Sequence, residues 1–518
     1  LLRKAESLGS DQKLIQDKEG RVALVNLTAK LLQLVIAKAA NLVPGGGVWM
    51  NTQRPEWNDA NNALAGWGLS MVTTCYMERM LKFLIDIYGR HSEAVYEIPA
   101  TMAACMQELK KLYAGAASME AGNTVFAEAS SRKAFTDKAG MIFQQERDSL
   151  YRGDYGTGDT QVSGEELKEF YRLVERVVSG TICCNKRQDG LYHTYNTLRI
   201  DKGGMEIEHL QEMLEGQVAV LSSGLLTSGE AVEICTALRH SGMYEDRQNS
   251  YMLYPNKNLQ GFLAKNRITP DRAKGLESYL EQDLAGFYHF PACCQNEEKL
   301  MGWLETQASM EAADREKLLA LYEEVFNHHA FTGRSGTFYA YEGLGSIYWH
   351  MVAKLLVAVQ ENALRSLADK DGYGEKLKSL YQEIKAGLGG SAKLPEVYGA
   401  FPFDAYSHTP YHKGACQPGM TGQVKEEILT RWGELGIRIE KGCAVFMPQL
   451  LTDAEMGDTG LGFSWCGVPV SYRRGAAKLI VSMADGTVKE FDDCVLPRMY
   501  SEILFSRSHA IESIEVSF

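Results

Sequence analysis

Long stretches with an apolar residue at every third or fourth position, each ended by glycine, constrain this chain more than any other feature. Val22–Val43 is periodic in this way and stops at Pro44-Gly45-Gly46-Gly47, a strong breaker cluster. Ala63–Tyr88 repeats the pattern, placing Leu64, Trp67, Met71, Tyr76, Met80, Phe83 and Leu84 on one broad face before Gly89. The same spacing predicts helices over 92–114, 165–179, 205–221, 228–240, 270–284, 311–327, 342–365, 373–387 and 421–435. Helices of this length joined by Gly- and Tyr-rich loops are the layout of helical hairpins packed side by side. The pattern changes near Gly436. Ala444–Met447, Val468–Tyr472, Lys478–Ser482, Val488–Phe491 and Ile514–Phe518 read as strands, with Asp485-Gly486 as a hairpin signal. The expectation is a mainly α chain with a helical domain over 1–436 and a small β domain over 437–518. There is no fixed-period repeat and no low-complexity linker.

Charge narrows the partners. The 54 Lys+Arg against 66 Asp+Glu leave a net charge of −12. Such a balance argues against nucleic acid and anionic membrane surfaces, which reward clustered Lys and Arg. No run reaches the roughly 18 uninterrupted apolar residues of a membrane span. The nearest, Val22–Val43, carries Asn26, Lys30, Gln33 and Lys38. No signal-peptide pattern opens the chain, and Leu1 in place of Met reads as a cut or processed end. The 11 cysteines are scattered, and the pairs Cys183-Cys184 and Cys293-Cys294 lack metal or redox spacing. A cytoplasmic, enzyme-sized protein with reduced thiols is expected. No metal site is indicated: His328-His329 and the pair His408 and His412 lie outside zinc-binding contexts, and Asp154–Glu166 lacks the EF-hand pattern.

Three segments place polar groups and glycines beside aromatics, where a packed core would not want them. The first runs from Arg54 through Trp57, Asn58 and Asp59 to Asn62, just before an apolar helix. Read plainly, it is a helix N-cap with solvated neighbours. The second, Thr332–Gly343, combines Arg334, glycines that admit close backbone approach, and Phe338, Tyr339 and Tyr341 as faces for sugar rings. Glu342 then opens a helix, where a carboxylate also simply complements the dipole. The third, Tyr406–Gln423, holds His408, His412 and Lys413 and ends in Thr421-Gly422 at a helix start. Free N–H groups there suit an anion, and a Thr N-cap is the plainer alternative.

Trp57-Asn58-Asp59 resembles the Trp-Asn-Asp motif of the cellobiose phosphorylase family, inverting glycoside phosphorylases built on an (α/α)6 toroid. The resemblance gives Asp59 the role of general acid. Met420-Thr421-Gly422-Gln423, continuing through Trp432 and Gly436-Ile437-Arg438-Ile439 to Met447-Pro448, is similar to that family's last barrel helix. There the Thr-Gly pair helps to bind phosphate, which makes Thr421 and Gly422 phosphate-site candidates. Gly333–Trp349 resembles the family's Gly-Gly-x-Phe-x-His…Trp stretch, except that Ala340 or Tyr341 stands in the His position, with Glu342 beside it. In related toroid hydrolases a Glu in this region activates water, so Glu342 is a candidate base; alternatively His408 or His412 supplies the missing phosphate contact. The resemblance spans 45–90, 330–365 and 405–450. It implies an insertion within 150–310 and, with only 56 residues ahead of Trp57, a missing upstream part of a longer enzyme.

Inverting cleavage needs one protonated carboxyl at the leaving oxygen and a nucleophile on the opposite face. The two carboxyls lie roughly 6.5–9.5 Å apart when that nucleophile is water. In a phosphorylase inorganic phosphate is the co-substrate and no other cofactor is needed; Thr421, Gly422, His408, His412, Lys413 and Arg334 are the available anion contacts. Trp57, Arg54, Asn58 and Tyr341 are candidate substrate contacts, joined by Tyr192 and Arg247 from two loops of the implied insertion. Three readings follow: a phosphorylase of a β-linked gluco-oligosaccharide with Asp59 as acid, an inverting hydrolase with Asp59 as acid and Glu342 as base, or a non-catalytic sugar-binding or structural member. The expected partners are the oligosaccharide and the upstream part of the same protein, with a homodimer left open.

Overall fold

The computed structural model describes residues 19–50, 66–117, 124–152, 158–255, 262–307, 310–326, 346–388, 408–410 and 421–518. The chain divides into two units. Leu1–Thr52, Ala65–Pro255 and Gly345–Phe518 make the first, and Gln53–Leu64 with Asn256–Leu344 make the second. Among the described residues, the helices of nine residues or more before residue 436 are α1 (Leu27–Ala39), α2 (Met71–Arg90), α3 (Ala100–Ala117), α4 (Ala129–Arg152), α5 (Gly164–Cys184), α6 (Leu214–Ser222), α7 (Ser228–Arg239), α8 (Glu297–Glu305), α9 (Ala312–Phe326), α10 (Trp349–Asp369), α11 (Gly374–Gly387) and α12 (Thr421–Glu434).

The expected fold class is corrected. Helix accounts for 52% of the described residues and strand for 20%, and the strands fall in seven sheets spread along the chain. A mainly α (α/α)6 toroid is not what these elements show; helix and sheet alternate instead. The physical reason is that several helical runs hold a short strand at their N-terminal side. β1 (Leu42–Val43) takes the last two residues of the expected run 22–43 and forms a hairpin with β2 (Gly47–Trp49) across the breaker cluster, while β3 (Gly68–Ser70), inside the run 63–88, precedes α2. β4 (Val95–Pro99) takes the start of the run 92–114 and pairs with β5 (Asp159–Ser163). β6 (Tyr195–Ile200) pairs with β7 (Met205–His209), which replaces the start of the run 205–221. β8 (Tyr244–Glu245) pairs with β9 (Ser250–Tyr251), and the run 270–284 holds one helical turn, a 3-10 turn and β10 (Glu281–Gln282), paired with β11 (Tyr288–His289), rather than a helix.

α2 and α5 pack against each other as the largest helix pair of the first unit. Ser163 opens α5 with a capping box to Glu166. Leu167, Phe170, Tyr171, Val174, Val177, Val178 and Ile182 then bury one face, each such side chain contributing about 1.5–3 kcal/mol. α4 lacks that stripe. Its buried residues include Arg132 and Glu146, and Arg132 forks onto the carbonyls of Pro44, Met205 and Phe126 at 2.9, 2.7 and 2.6 Å.

The second unit has its own core. Phe290, Tyr322 and Phe326 pack edge-on or tilted with centroids 4.5–6.0 Å apart, around Ile268, Leu300 and Leu318. Asn266 clips the backbone of Phe290 in both directions, at 2.9 and 2.8 Å.

In the C-terminal region β14 (Ile437–Glu440), β15 (Cys443–Phe446) and β20 (Val495–Leu496) form one sheet. A second sheet runs in the order β16 (Leu461–Trp465), β17 (Val468–Arg473), β21 (Ile511–Ser517), β18 (Lys478–Met483), β19 (Val488–Phe491), with β17 and β21 parallel. Phe446, Tyr472, Leu479, Val481 and Val516 lie at its core. Gly436 makes the stop after α12: its φ is +63°, and a Cβ there would sit 2.0 Å from the backbone of Met447.

A charged junction ties α11 and α12 to the turn at 452–456. Lys385 Nζ reaches Glu434 Oε1 at 2.5 Å and Glu455 Oε1 at 2.9 Å, while Arg431 reaches the same two carboxylates at 2.8 and 3.2 Å. Tyr381 donates to Glu434 at 2.6 Å. Burial pushes the Glu455 carboxyl up, but the Thr452 amide and the Lys385 ammonium outweigh it and hold the carboxyl at about 2. A depressed carboxyl stabilises the fold above its unfolded value and loses that contribution as the pH falls toward the folded one. Glu455→Gln is therefore expected to lower unfolding free energy by roughly 1–2 kcal/mol near pH 7 after solvent screening. In urea denaturation across pH, that difference from the unsubstituted chain should shrink between about 4.5 and about 2; a difference independent of pH would refute the assignment.

Candidate active site

The described parts of the first unit hold the flanks of all three motif segments. Met50 N donates to Gly68 O at 2.8 Å, Gly66 N to Met50 O at 2.7 Å, and the Trp49 indole to Gly66 O at 3.1 Å. The two ends of the segment that carries Trp57-Asn58-Asp59 are thus clipped together between β2 and β3. The stretch after the second segment pairs with the described part of the third. β12 (Ser346–Tyr348), which follows Glu342, pairs antiparallel with β13 (His408–Pro410), setting Tyr348 opposite His408.

Four helices begin near these flanks. Met71 N, at the start of α2, donates to Thr194 O at 3.0 Å. Thr194 Oγ1 donates to Met213 O at 3.2 Å, at the start of α6. Gly216 permits that approach, since a Cβ there would lie 2.2 Å from Thr194 Oγ1. Tyr195 donates to Glu215 at 2.9 Å. α6 packs on α2 and on α10, and α10 packs on α12. In the first turn of α10, His350 Nε2 stands 3.9 Å from Glu426 Oε1 of α12, and its Nδ1 lies 3.3 Å from the Tyr348 hydroxyl.

This end of the unit therefore collects helix N-termini, two carboxylates, a tyrosine and an imidazole. Burial keeps the Tyr348 hydroxyl protonated, and Glu215 adds to the effect. Burial, with Lys354, also lowers His350, which Glu426 partly offsets, so the ring is neutral near pH 7. Gln423 is 6% exposed, and its side-chain oxygen has no partner among the described residues. Such a set can hold an anion at helix ends and hydroxyls at the polar tips.

The amide core beneath fixes the strands. Asn196 donates to Gly46 O at 2.7 Å and Asn185 Oδ1 at 2.9 Å, and its own oxygen sits 2.7 Å from His209 Nδ1. His193 stacks flat on His209 at 3.9 Å; burial first, then His209 and Arg187, lower His193 to about 4.

Asp59, Glu342, Trp57, Arg54, Asn58, Tyr341, Arg334 and His412 lie outside the described residues. His408 sits in β13, and Thr421 and Gly422 open α12. Tyr192 is buried, its backbone clipped twice by Gln217 at 2.8 Å. Arg247 is exposed in the turn between Tyr244–Glu245 and Ser250–Tyr251. Glu215, Tyr348, His350 and Glu426 were not singled out from the sequence. The available signal was position: Tyr348-Trp349-His350 begins five residues after the end of the second segment, and Glu426 lies one turn after Gln423.

A family model described as GH149 phosphorylase insertion domain 2 matches residues 259–329. No curated protein matches the chain. The match supports a glycoside phosphorylase-type carbohydrate-active enzyme. It does not extend to the cellobiose phosphorylase family, the resemblance to which rests on the motif segments alone. Among the described residues no helix is long and apolar enough to cross a membrane.

Asn196→Leu would leave Gly46 O, the Asn185 amide and His209 without their partner. Unfolding free energy should fall by roughly 3 kcal/mol; a loss under about 1 kcal/mol in urea denaturation would show the amide core to be dispensable.

Proposed function

We propose that this chain is an inverting glycoside phosphorylase of a β-linked gluco-oligosaccharide. The observation that carries the reading is the match of 259–329 to a GH149 phosphorylase insertion domain. It favours phosphate over water as the nucleophile. Supporting it, the flanks of the acid-bearing and anion-binding segments are held close to helix N-termini in one unit.

In this mechanism Asp59 donates its proton to the glycosidic oxygen as the C1–O bond breaks. A phosphate oxygen attacks C1 from the opposite face, so the products are a sugar 1-phosphate of inverted configuration and the shortened oligosaccharide. Thr421, Gly422, His408, His412 and Arg334 neutralise and aim the phosphate. Trp57 and Tyr341 offer ring faces, and Arg54 and Asn58 bind sugar hydroxyls. With phosphate attacking, no general base is required. Glu342 then binds a hydroxyl rather than activating water.

Incubating the protein with β-linked gluco-oligosaccharides, with and without inorganic phosphate, tests this. Sugar 1-phosphate should form only with phosphate, and Asp59→Asn should reduce its rate roughly 10²–10⁴-fold. Free sugar released equally in both conditions would overturn phosphorolysis and make Glu342 the base. An unaltered rate in Asp59→Asn would remove Asp59 from the mechanism.

A further inference from the structure

Between α3 and α4, away from the elements of the candidate active site, a pocket of about 190 Å3 is lined by Thr101, Ala104, Ile142, Gln145, Glu146 and Ser149, with Cys105 and Glu108 completing its wall. Glu146 is 2% exposed. Among the described residues neither of its carboxylate oxygens has a partner at hydrogen-bond distance, and nor does Thr101 Oγ1; burial pushes the carboxyl up, and Thr101, which faces it, only partly offsets this. Unpartnered polar atoms at this depth are rare in folded proteins and call for a ligand, an ion or water.

The chemistry of the walls selects among these. None of the described lining residues is Lys, Arg or His, whereas two are carboxylates. Phosphate, sugar phosphates and carboxylic acids are thereby excluded by charge. The unsatisfied atoms are acceptors: two carboxylate oxygens, and the lone pairs of a hydroxyl. What is missing is a donor with positive charge. The pocket exceeds what a bare ion fills, since a water takes about 30 Å3 of liquid. Ala104 and Ile142 supply an apolar wall beside the polar one. Cys105 does not compete for the ligand, because burial, then Glu146, push its thiol up to about 12 and keep it neutral.

We propose that this pocket binds a small ligand bearing a primary ammonium group, its N–H donors on Glu146 and Thr101 and its short alkyl part against Ala104 and Ile142. An ammonium has three donors, enough for the two residues with one left for Gln145 or Ser149. Glu146 acts here as the counter-charge and takes no part in the glycosidic chemistry proposed above, so the two readings stand or fall separately.

The probe is methylammonium chloride, titrated into the full chain while thermal unfolding is followed, with sodium chloride at equal ionic strength as the reference. A saturable rise in melting temperature is expected with methylammonium alone. Glu146→Gln should abolish it, and Thr101→Val, which keeps the shape, should weaken the apparent affinity about tenfold. Should Glu146→Gln fail to fold, Thr101→Val carries the test. The same response to both salts, or a methylammonium response unchanged in the variants, would overturn the proposal. So would a shift with calcium chloride and none with methylammonium, which would mark a metal site instead.

Discussion

Three consecutive residues, Thr194, Tyr195 and Asn196, hold together the parts of the first unit on which a catalytic arrangement would rely. Thr194 receives the first amide of α2 and donates to the residue that starts α6. Tyr195 reaches Glu215 in the first turn of α6. Asn196 spans the gap between the turn at Gly46, the end of α5 at Asn185, and His209 on the neighbouring strand. All three residues are buried. Buried polar groups are costly unless every one is paired, so the positions of these elements are coupled. Shifting one strand by a residue would strand several partners at once. The antiparallel register of β3 on β6, Leu69 opposite Asn196 and Ser70 opposite Tyr195, fixes the same point through the backbone. The ends of the segment bearing Asp59 hang from that register.

The junction around Glu434 plays a different part. Its carboxylate is nearly inaccessible yet accepts from Tyr381 and faces both Lys385 and Arg431. Replacing such a set by apolar residues often costs little, whereas removing one member leaves a buried charge. Its contribution is therefore to specify how the turn at 452–456 sits on α11 and α12. Gln360 of α10 extends the contact, donating to Thr430 O at 2.7 Å and to Tyr381 at 3.2 Å. Gly433 makes room for it, as a Cβ there would lie 2.0 Å from Gln360 Oε1. The far ends of α10–α12 are thus fixed to one another. Their near ends, where His350 and Gln423 lie, inherit that alignment.

The sequence was legible where one period ran unbroken between caps. α7, α9, α11 and α12 lie within a residue or two of the expected runs, and β19 coincides with Val488–Phe491. Legibility failed where a two- to five-residue strand stood directly before a helix, because a short apolar run fits either period. It failed also for α4, whose surface is mostly polar and whose buried residues mix Phe135 and Ala139 with Arg132, Thr136 and Glu146. Tyr192 illustrates the limit for site residues. In the chain it stands among Gly190, His193 and Asn196 like a loop aromatic, yet Gln217, 25 residues away, closes over its backbone. The pairing of His350 with Glu426 is of the same kind: two residues far apart in sequence, neither in a motif, brought together only when α10 packs on α12. Local pattern encodes elements, whereas contacts between elements depend on the whole packing.

Phosphate and water pose different demands, and the described geometry bears on which is met more easily. Water must be deprotonated as it attacks, so hydrolysis needs a carboxylate held at a set distance from the acid. Phosphate is already anionic and needs its charge balanced and one oxygen aimed. Helix N-termini balance charge without a proton to lose, and their effect is strongest where water is excluded. His350, kept neutral by burial, leaves one ring nitrogen to donate and the other to accept. The carboxylates of Glu215 and Glu426 stand at the same end, and they repel an anion placed against them. In the proposed phosphorolysis, phosphate would belong on the Thr421-Gly422 side of α12, at its first turn, with Glu426 one turn further in. That separation lets one short helix present donors to the anion and an acceptor to a sugar hydroxyl, the division of labour that proposed phosphorolysis requires.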